Sequence, residues 1–499
     1  MMKQDRGISI LLVFGIIAVI FLLSRQYFVR LDLTEDKQFT MSKATRNILH
    51  NLEEPVTVKA YFSEKLRPEL AQVQSDFQNL LIEYNNISKG KLDYQFIDPA
   101  KTPELEQQAV QSGIQPRLVN VREKDEVSQQ KVYMGAIIES GTQKEVIPFI
   151  LPESPMEYDL TTAVKKVSVT NKPSLGVVQG HGEPQLNQMV QVAQALSGIY
   201  SLEPIDLSAE ATIPERFQAV LFINPQDSIP QDHFSKLDDY LSRGGKIIAA
   251  INGVEGNLQT AQGSAATHNA HSWLNTNGIM IEPSFIVDAA CARVTVQQQQ
   301  GFFSFASQVQ FPYFPLVSSF PDHSATKGIE DVIFQFASPL HFTPVDGAIF
   351  TNLVTSSQKA GTLPAPLYFY INKQWTNADF PLSNIPIGGI AEGLKGNPES
   401  RLVIFSDGDF VVSEQGQVNQ DNVNLMVNTI EWLVDKSGLA ELRTKGVVYR
   451  PIKEMEEGKR TFTKYLNFFL PLAFVGVVGL WRSQRNRNKR IRRMTERYV

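Results

Sequence analysis

Two short loops carry the residue types that chemistry needs. GHGEP, Gly180 to Pro184, sets His181 two residues from Glu183. The loop sits between a strand and a helix, where α/β folds bind ligands, and in a functional reading His181 and Glu183 face that crevice. SDGDF, Ser406 to Phe410, sets Asp407 two residues from Asp409. Paired carboxylates hold a cation or share one proton. Each loop also has a structural reading. The glycines of the first make a tight turn and Pro184 opens the next helix. The aspartates of the second cap local amides. If both loops lie at one sheet edge, they form a shared pocket.

Other motifs fall short of a known chemistry. GHGEP begins like a dinucleotide loop, but Gln185 replaces the third glycine of GxGxxG. No EF-hand loop follows Asp409. HNAH, His268 to His271, has the i,i+3 spacing of helical zinc ligands, yet lacks HExxH and a nearby cysteine. It reads as a solvated loop or helix start. Cys291 is the single cysteine, which excludes an internal disulfide, a CxxC pair and a multi-cysteine zinc site. It reads as a small buried apolar residue. No GxSxG elbow and no Walker A sequence occur. No cofactor is expected.

The elements that must position these loops follow from periodicity. SLGVVQG is a continuous apolar strand before GHGEP, suited to a sheet covered on both faces. LNQMVQVAQALSGI then lines Leu186, Met189, Val190, Ala193 and Leu196 along one helix face. SLEPIDL, FQAVLFINP and KIIAAIN are strands, and PQDHFSKLDDYLSRGG is a helix with a double-glycine stop. Alternation of this kind builds a mainly parallel α/β sheet. RLVIFSDGDFVV and the helix of NVNLMVNTIEWLVD complete it. The stretch 253–400 is less regular and reads as insertions and extra strands.

An earlier stretch has its own order. VTVKAYFS is a strand, PELAQVQSDFQNLLIEYNNI a helix, LDYQFID a strand and PELEQQAVQSG a helix. RLVNVRE, KVYMGAIIE and EVIPFI are strands, and MEYDLTTAVKKV is a closing helix. The order β-α-β-α-β-β-β-α resembles a thioredoxin-like domain. SEKLRPE stands where its cysteines would be, so thiol chemistry is not expected.

Two apolar runs of 17 residues flank these domains, Gly7 to Leu23 and Tyr465 to Trp481. Each rises about 25 Å as a helix, and interfacial aromatics and arginines bridge the shortfall to a bilayer core. The first lacks a small-x-small cleavage site and reads as a retained anchor. The net charge is −5, yet from Arg482 onward eight Lys/Arg face one acid, Glu496. The middle is left at about −13, which repels a phosphate backbone and argues against nucleic acid. By the positive-inside rule the tail is cytoplasmic, and with two spans so is the N-terminus. The expected organisation is an anchor at 1–30, an outer domain at 31–171 and an α/β domain at 172–439 with its irregular insertion at about 253–400. A stalk at 440–464, a membrane helix at 465–481 and a basic tail at 482–499 complete it.

RLDLTEDKQFTMSKATRNILHNLEEPVTVKAYFS resembles the opening of gliding-motility GldG-type proteins. FIDP, YMGAIIESGTQKEVIPFI, MEYDLTTAVKK, VVQGHGEP, RGGKIIAAING and VIFSDGDF follow in that family's order. The resemblance implies a membrane-anchored accessory subunit of a bacterial ABC-type system, substrate-binding-like, with a separate permease and cytoplasmic ATPase. It implies residence in the inner membrane, with the bulk in the periplasm binding a substrate or envelope partner. It also implies that the second domain is glutamine-amidotransferase-like, that is flavodoxin-like, akin to a domain of intraflagellar-transport proteins. The nucleophilic cysteine of such enzymes is missing, so no enzyme activity is expected. The alternative is a periplasmic hydrolase using His181, Glu183 or Asp407.

Overall fold

The computed structural model describes residues 40–434 and 457–495, apart from positions 65, 124–125, 152–153, 170, 301–302, 346, 371–372 and 414–417. The first apolar run and most of the expected stalk lie outside the described residues. The two parts belong to separate units of the chain.

The head begins with a helix, Lys43–His50, whose N-cap Ser42 accepts from the Thr45 amide. A four-stranded sheet follows, in the order Leu92–Ile97, Val56–Phe62, Met134–Ser140, Gln143–Ile147. The first pair is parallel and the others antiparallel. Helices start where Pro occupies the first turn, Pro68–Ile87 and Pro103–Gln111, because its missing N–H has no intrahelical partner there. KVYMGAIIE, expected as one strand, is divided at Tyr133. Residues before it pair with Arg117–Glu123 in a separate two-stranded ribbon.

A buried polar network ties three helices of this part together. Glu157, on the closing helix Met156–Ser168, accepts from the Ser42 amide at 2.8 Å and the Thr45 hydroxyl at 2.7 Å. Thr45 meets Thr161 at 3.0 Å, and Thr161 meets the Tyr84 hydroxyl at 2.5 Å. Glu157 thus places its carboxylate at the positive end of the first helix.

The larger sheet has seven strands in the order Ile349–Thr355, Pro386–Glu392, Arg401–Phe405, Lys246–Ala250, Phe217–Ile223, Ser174–Gln179, Ser201–Asp206. The last five are mutually parallel. Pro386–Glu392 runs antiparallel to both its neighbours, and it and Ile349–Thr355 come from the stretch that lacked sequence periodicity. Alternation sorts the side chains. Leu175, Val177, Leu221, Ile248 and Val403 pack under Leu196, Met426 and Ile430 of the helices Val190–Ser197 and Gln420–Val434. Val178, Val220, Ile247 and Ile404 face Phe234 and Leu237 of Gln231–Ser242 and Trp273 of Ala270–Thr276. Val190, expected on the buried helix face, is exposed, because a 3-10 turn at Leu186–Gln188 precedes the α-helix and shifts its phase.

The irregular stretch also holds an aromatic core. Phe285 lies edge-on to Tyr313, Phe336 and Phe369, at 6.2, 5.8 and 5.6 Å between centroids. Cys291 starts one strand of a long hairpin there and is partly exposed, not fully buried as expected.

The second unit holds a helix, Glu457–Thr495, with Pro471 inside it. Its segment Lys464–Ile491 is long and apolar enough to cross a membrane.

The Glu157 network yields a test. Glu157→Ala leaves the Ser42 amide and the Thr45 hydroxyl without their acceptor, a loss of about 1–3 kcal/mol. The denaturant midpoint of the detergent-solubilised full chain should fall accordingly. An unchanged midpoint would show that the network contributes nothing.

Candidate functional site

Parallel strands end on one edge. Gln179, Ile223, Ala250 and Phe405 are the last residues of four adjacent strands. The loops after them therefore meet, and GHGEP and SDGDF are brought to the same edge, each touching the segment Asn224–Asp227. The His181 carbonyl accepts from the amides of Gln226 and Asp227, both at 2.9 Å. Gln226 Nε2 donates to Asn224 Oδ1 at 2.9 Å, and Asn224 Nδ2 donates to Asp409 Oδ1 at 2.6 Å. The close approach needs glycine on both sides. A Cβ on Gly182 would lie 2.9 Å from Gln226 Cβ, and one on Gly408 would lie 2.6 Å from Asn224 Cβ.

On the GHGEP side, His181 and Glu183 are buried and bonded to each other. The carboxylate accepts from the His181 amide at 2.6 Å and meets Nδ1 at 2.7 Å. His181 Nε2 lies 2.8 Å from Nδ1 of His233. Both ring nitrogens of His181 are thus engaged, one by the carboxylate and one by the second imidazole. The result is a buried Glu–His–His chain. Burial holds the His233 pKa below its ordinary value, while the neighbouring Asp232 charge pulls it back up. His233 escaped the sequence reading. The signal was its place four residues before Leu237, on the apolar face of Gln231–Ser242.

On the SDGDF side, Asp407 is completely buried. Its oxygens accept from the amides of Gln335 at 2.5 Å and Asp409 at 2.8 Å. Burial, and then the Asp409 charge, push its carboxyl well above the usual carboxylate range. Asp409 is only partly buried and accepts from Asn224 and, at 2.7 Å, from Asn252. Asn252 Oδ1 accepts from the Gly408 amide at 2.6 Å. The Asn252 carbonyl lies 3.0 Å from His268 Nε2 and 2.9 Å from His271 Nε2. HNAH is a helix start, as one of its two readings had it, with Asn269 at the N-cap of Ala270–Thr276; it is not solvated, since His268 is 5% exposed and both imidazoles close off the Asn252 carbonyl. Burial and the His271 charge lower the His268 pKa to about 4. Burial also lowers that of His271.

The arrangement is a clasp. His181 has both ring nitrogens engaged, Glu183 both oxygens, and Asp407 both oxygens. Among the described residues, no group of three or more His, Cys, Asp or Glu is placed to hold a metal ion. Of the four sequence candidates, Asp409 alone is partly exposed.

A family model described as an ABC-type uncharacterized transport system matches residues 172–434, which include every residue of the clasp. A domain of unknown function (DUF7088) matches residues 35–139. An uncharacterized protein of Borreliella burgdorferi is 29% identical over 266 residues, 52% of this chain and 52% of that protein. The chain thus spans about half the length of this curated relative. Among solved structures, the mmIFT52 N-terminal domain aligns with 52% of this chain and 97% of its own, at 14% identity and a TM-score of 0.37. A thua-like protein from Parabacteroides merdae aligns with 56% of this chain and 93% of its own, at 11% identity and a TM-score of 0.29. Neither score carries an argument.

The buried histidines make stability depend on pH. Between about 4 and 6.5 the unfolded chain protonates position 268 while the folded chain does not, so this group withdraws stability as pH falls through that interval. Asp407 acts in the opposite sense, so the measurement is a difference between the chain and a variant. In His268→Gln the amide can still donate to the Asn252 carbonyl but cannot titrate. Its deficit in unfolding midpoint at neutral pH should narrow at about pH 4.5. A deficit equal at both pH values would show that His268 does not titrate in this way.

Proposed function

Since the chain belongs to the ABC-type uncharacterized transport system family, we propose that it is a non-catalytic, membrane-anchored accessory subunit of a bacterial ABC-type transport system. The family match carries this reading. The long apolar helix supports the anchor, and the flanking charge supports its orientation. In this reading both termini are cytoplasmic, the first apolar run is a second span, and the head lies in the periplasm. The partners are a permease, a cytoplasmic ATPase and the inner-membrane bilayer. Anchoring keeps the head at high effective concentration beside the permease, where it binds a substrate or an envelope component. In this reading, as the GldG-type resemblance implies, the system is related to gliding motility, and the head is built on thioredoxin-like and amidotransferase-like scaffolds.

The internal bonding of His181, Glu183 and Asp407 favours this reading over a periplasmic hydrolase. A general base needs a lone pair within reach of substrate, and those of His181 are occupied.

Purification of the tagged full chain from native membranes in mild detergent should bring down the permease and the ATPase. Recovery of neither subunit would end the proposal. Alanine at His181, Glu183 or Asp407 should leave cellular function intact wherever the variant accumulates normally. A stable, folded and inactive variant would restore the hydrolase reading.

A further inference from the structure

The helix Glu457–Thr495 continues without a break from its apolar part into basic residues. Helical side chains lean toward the N-terminus of their helix, which here is toward the apolar run. The Arg485 guanidinium shows this lean: it lies 5.4 Å from the centre of the Trp481 ring, one turn back. Cations on this helix thus reach back toward a bilayer.

A groove opens on another side of the helix. It has a volume of about 470 Å³ and is lined by Gly479, Arg482, Ser483, Asn486, Arg487 and Arg490. At about 100° per residue, positions 476, 479, 483, 486 and 490 fall within about 80° of one another, with Arg482 and Arg487 on the two flanks. Gly476 and Gly479 leave its apolar end bare, since a Cβ on either would stand in open space. Residues 458–495 contain no Asp or Glu, so the helix offers these guanidiniums no counter-ion of its own.

Depth decides what can fill this groove. With Trp481 at the edge of the hydrocarbon, Ser483 stands about 3 Å, Asn486 about 7.5 Å and Arg490 about 13.5 Å further along the axis. A backward reach of one turn brings the Arg487 guanidinium to about 4 Å and that of Arg490 to about 8 Å. The headgroup layer extends about 5–7 Å beyond the hydrocarbon. The donors therefore converge on the layer where lipid phosphates lie, and the bare glycines sit just inside it. A zwitterionic headgroup would bring its own cation against three guanidiniums; an anionic one would not.

Resting on the membrane-anchored reading, we propose that this groove binds the phosphate of one anionic phospholipid of the cytoplasmic leaflet. Arg482, Arg487 and Arg490 neutralise the phosphate, and Ser483 and Asn486 donate to its oxygens. The two glycines let the glycerol approach the helix backbone. A lipid held in this way sets the depth and rotation of the anchor.

For the test, the full chain is purified in mild detergent, stripped of lipid and titrated with phosphatidylglycerol or phosphatidylcholine, and bound lipids are counted by native mass spectrometry. One phosphatidylglycerol should bind, at least about tenfold more tightly than phosphatidylcholine. Arg487→Gln and Arg490→Gln should each weaken it about fivefold. Arg485→Gln, at a similar height but about 140–160° around the axis from those two, should leave it unchanged. Equal loss from Arg485→Gln would show diffuse attraction to any cation and overturn the groove. Displacement of the lipid by inorganic phosphate would make this a plain anion site and overturn the lipid assignment. Gly479→Leu fills the groove without meeting a neighbour in the chain, and should weaken lipid binding while recovery of the permease from native membranes is unchanged. Loss of the permease with lipid binding intact would give the groove to a neighbouring helix instead. Cell fractionation separates this proposal from the reading beneath it. A chain found in the soluble fraction would remove the anchor and the groove together, whereas a membrane-bound chain indifferent to headgroup charge would remove the groove alone.

Discussion

Every buried backbone group at the end of a strand needs a hydrogen-bond partner, and a parallel sheet collects such ends along one edge. This constraint organises the larger domain. Four adjacent strands finish there, and their exit loops turn back over the sheet beneath solvent-excluding neighbours. Asn252 shows the consequence. Its carbonyl takes two imidazoles, its side-chain oxygen takes the Gly408 amide, and its side-chain nitrogen serves Asp409. One residue thus joins three loops. The carboxylates belong to the same scheme, because a charged acceptor makes a stronger bond to an amide than a neutral one. At Asp407 burial opposes the charge, and its carboxyl is held well above the usual carboxylate range.

The same logic recurs in the first domain on a smaller scale. Glu157 is buried, yet it receives an amide and a hydroxyl, and its helix closes over the sheet beside Tyr84. With a single cysteine in the chain, no internal disulfide can restrain the unfolded ensemble. Order must come from apolar cores, supplemented by polar networks that fix which helix packs where. Buried polar groups are costly unless satisfied, so each network favours one arrangement over its neighbours.

What the sequence made legible follows from this division. The parallel strands were readable because a strand covered on both faces is a continuous apolar run, as in SLGVVQ and RLVIF. Their order was legible in part, since a strand and helix after the irregular stretch were expected to return to the same sheet. The strands Ile349–Thr355 and Pro386–Glu392 were hidden. IFTNLVT is an edge segment of mixed burial, and PIGGIAE, though buried through its centre, is interrupted by two glycines, so neither alternation nor a long apolar run marks them. At the candidate site, His181, Glu183, Asp407 and Asp409 were visible because glycine flanks them. Asn224, Asn252 and His233 were not, for a polar residue at a strand end or in a first helical turn looks like ordinary surface. Only the closing of the sheet brings them together. HNAH was rightly placed at a helix start, but its burial was hidden for the same reason: its surroundings in sequence are polar, and its surroundings in space are not.

Exposure of apolar surface separates the head from the helix. In the head, apolar side chains are gathered into cores on both faces of the larger sheet and over the smaller one. In the helix Glu457–Thr495, Phe468 is 65% exposed, Leu480 70% and Trp481 61%. Apolar surface in water costs about 25 cal/mol per Å², so a run of such residues is unfavourable until hydrocarbon or a neighbouring helix covers it. A soluble helix would resolve this by turning one stripe inward, but here the apolar residues encircle the axis for several turns. Pro471 sits among them, where a membrane helix tolerates it better than a water-exposed one. The basic residues then begin within one residue of Trp481. An apolar cylinder ended by an aromatic and a cationic collar is the form a chain takes when its surroundings change from oil to water at that point.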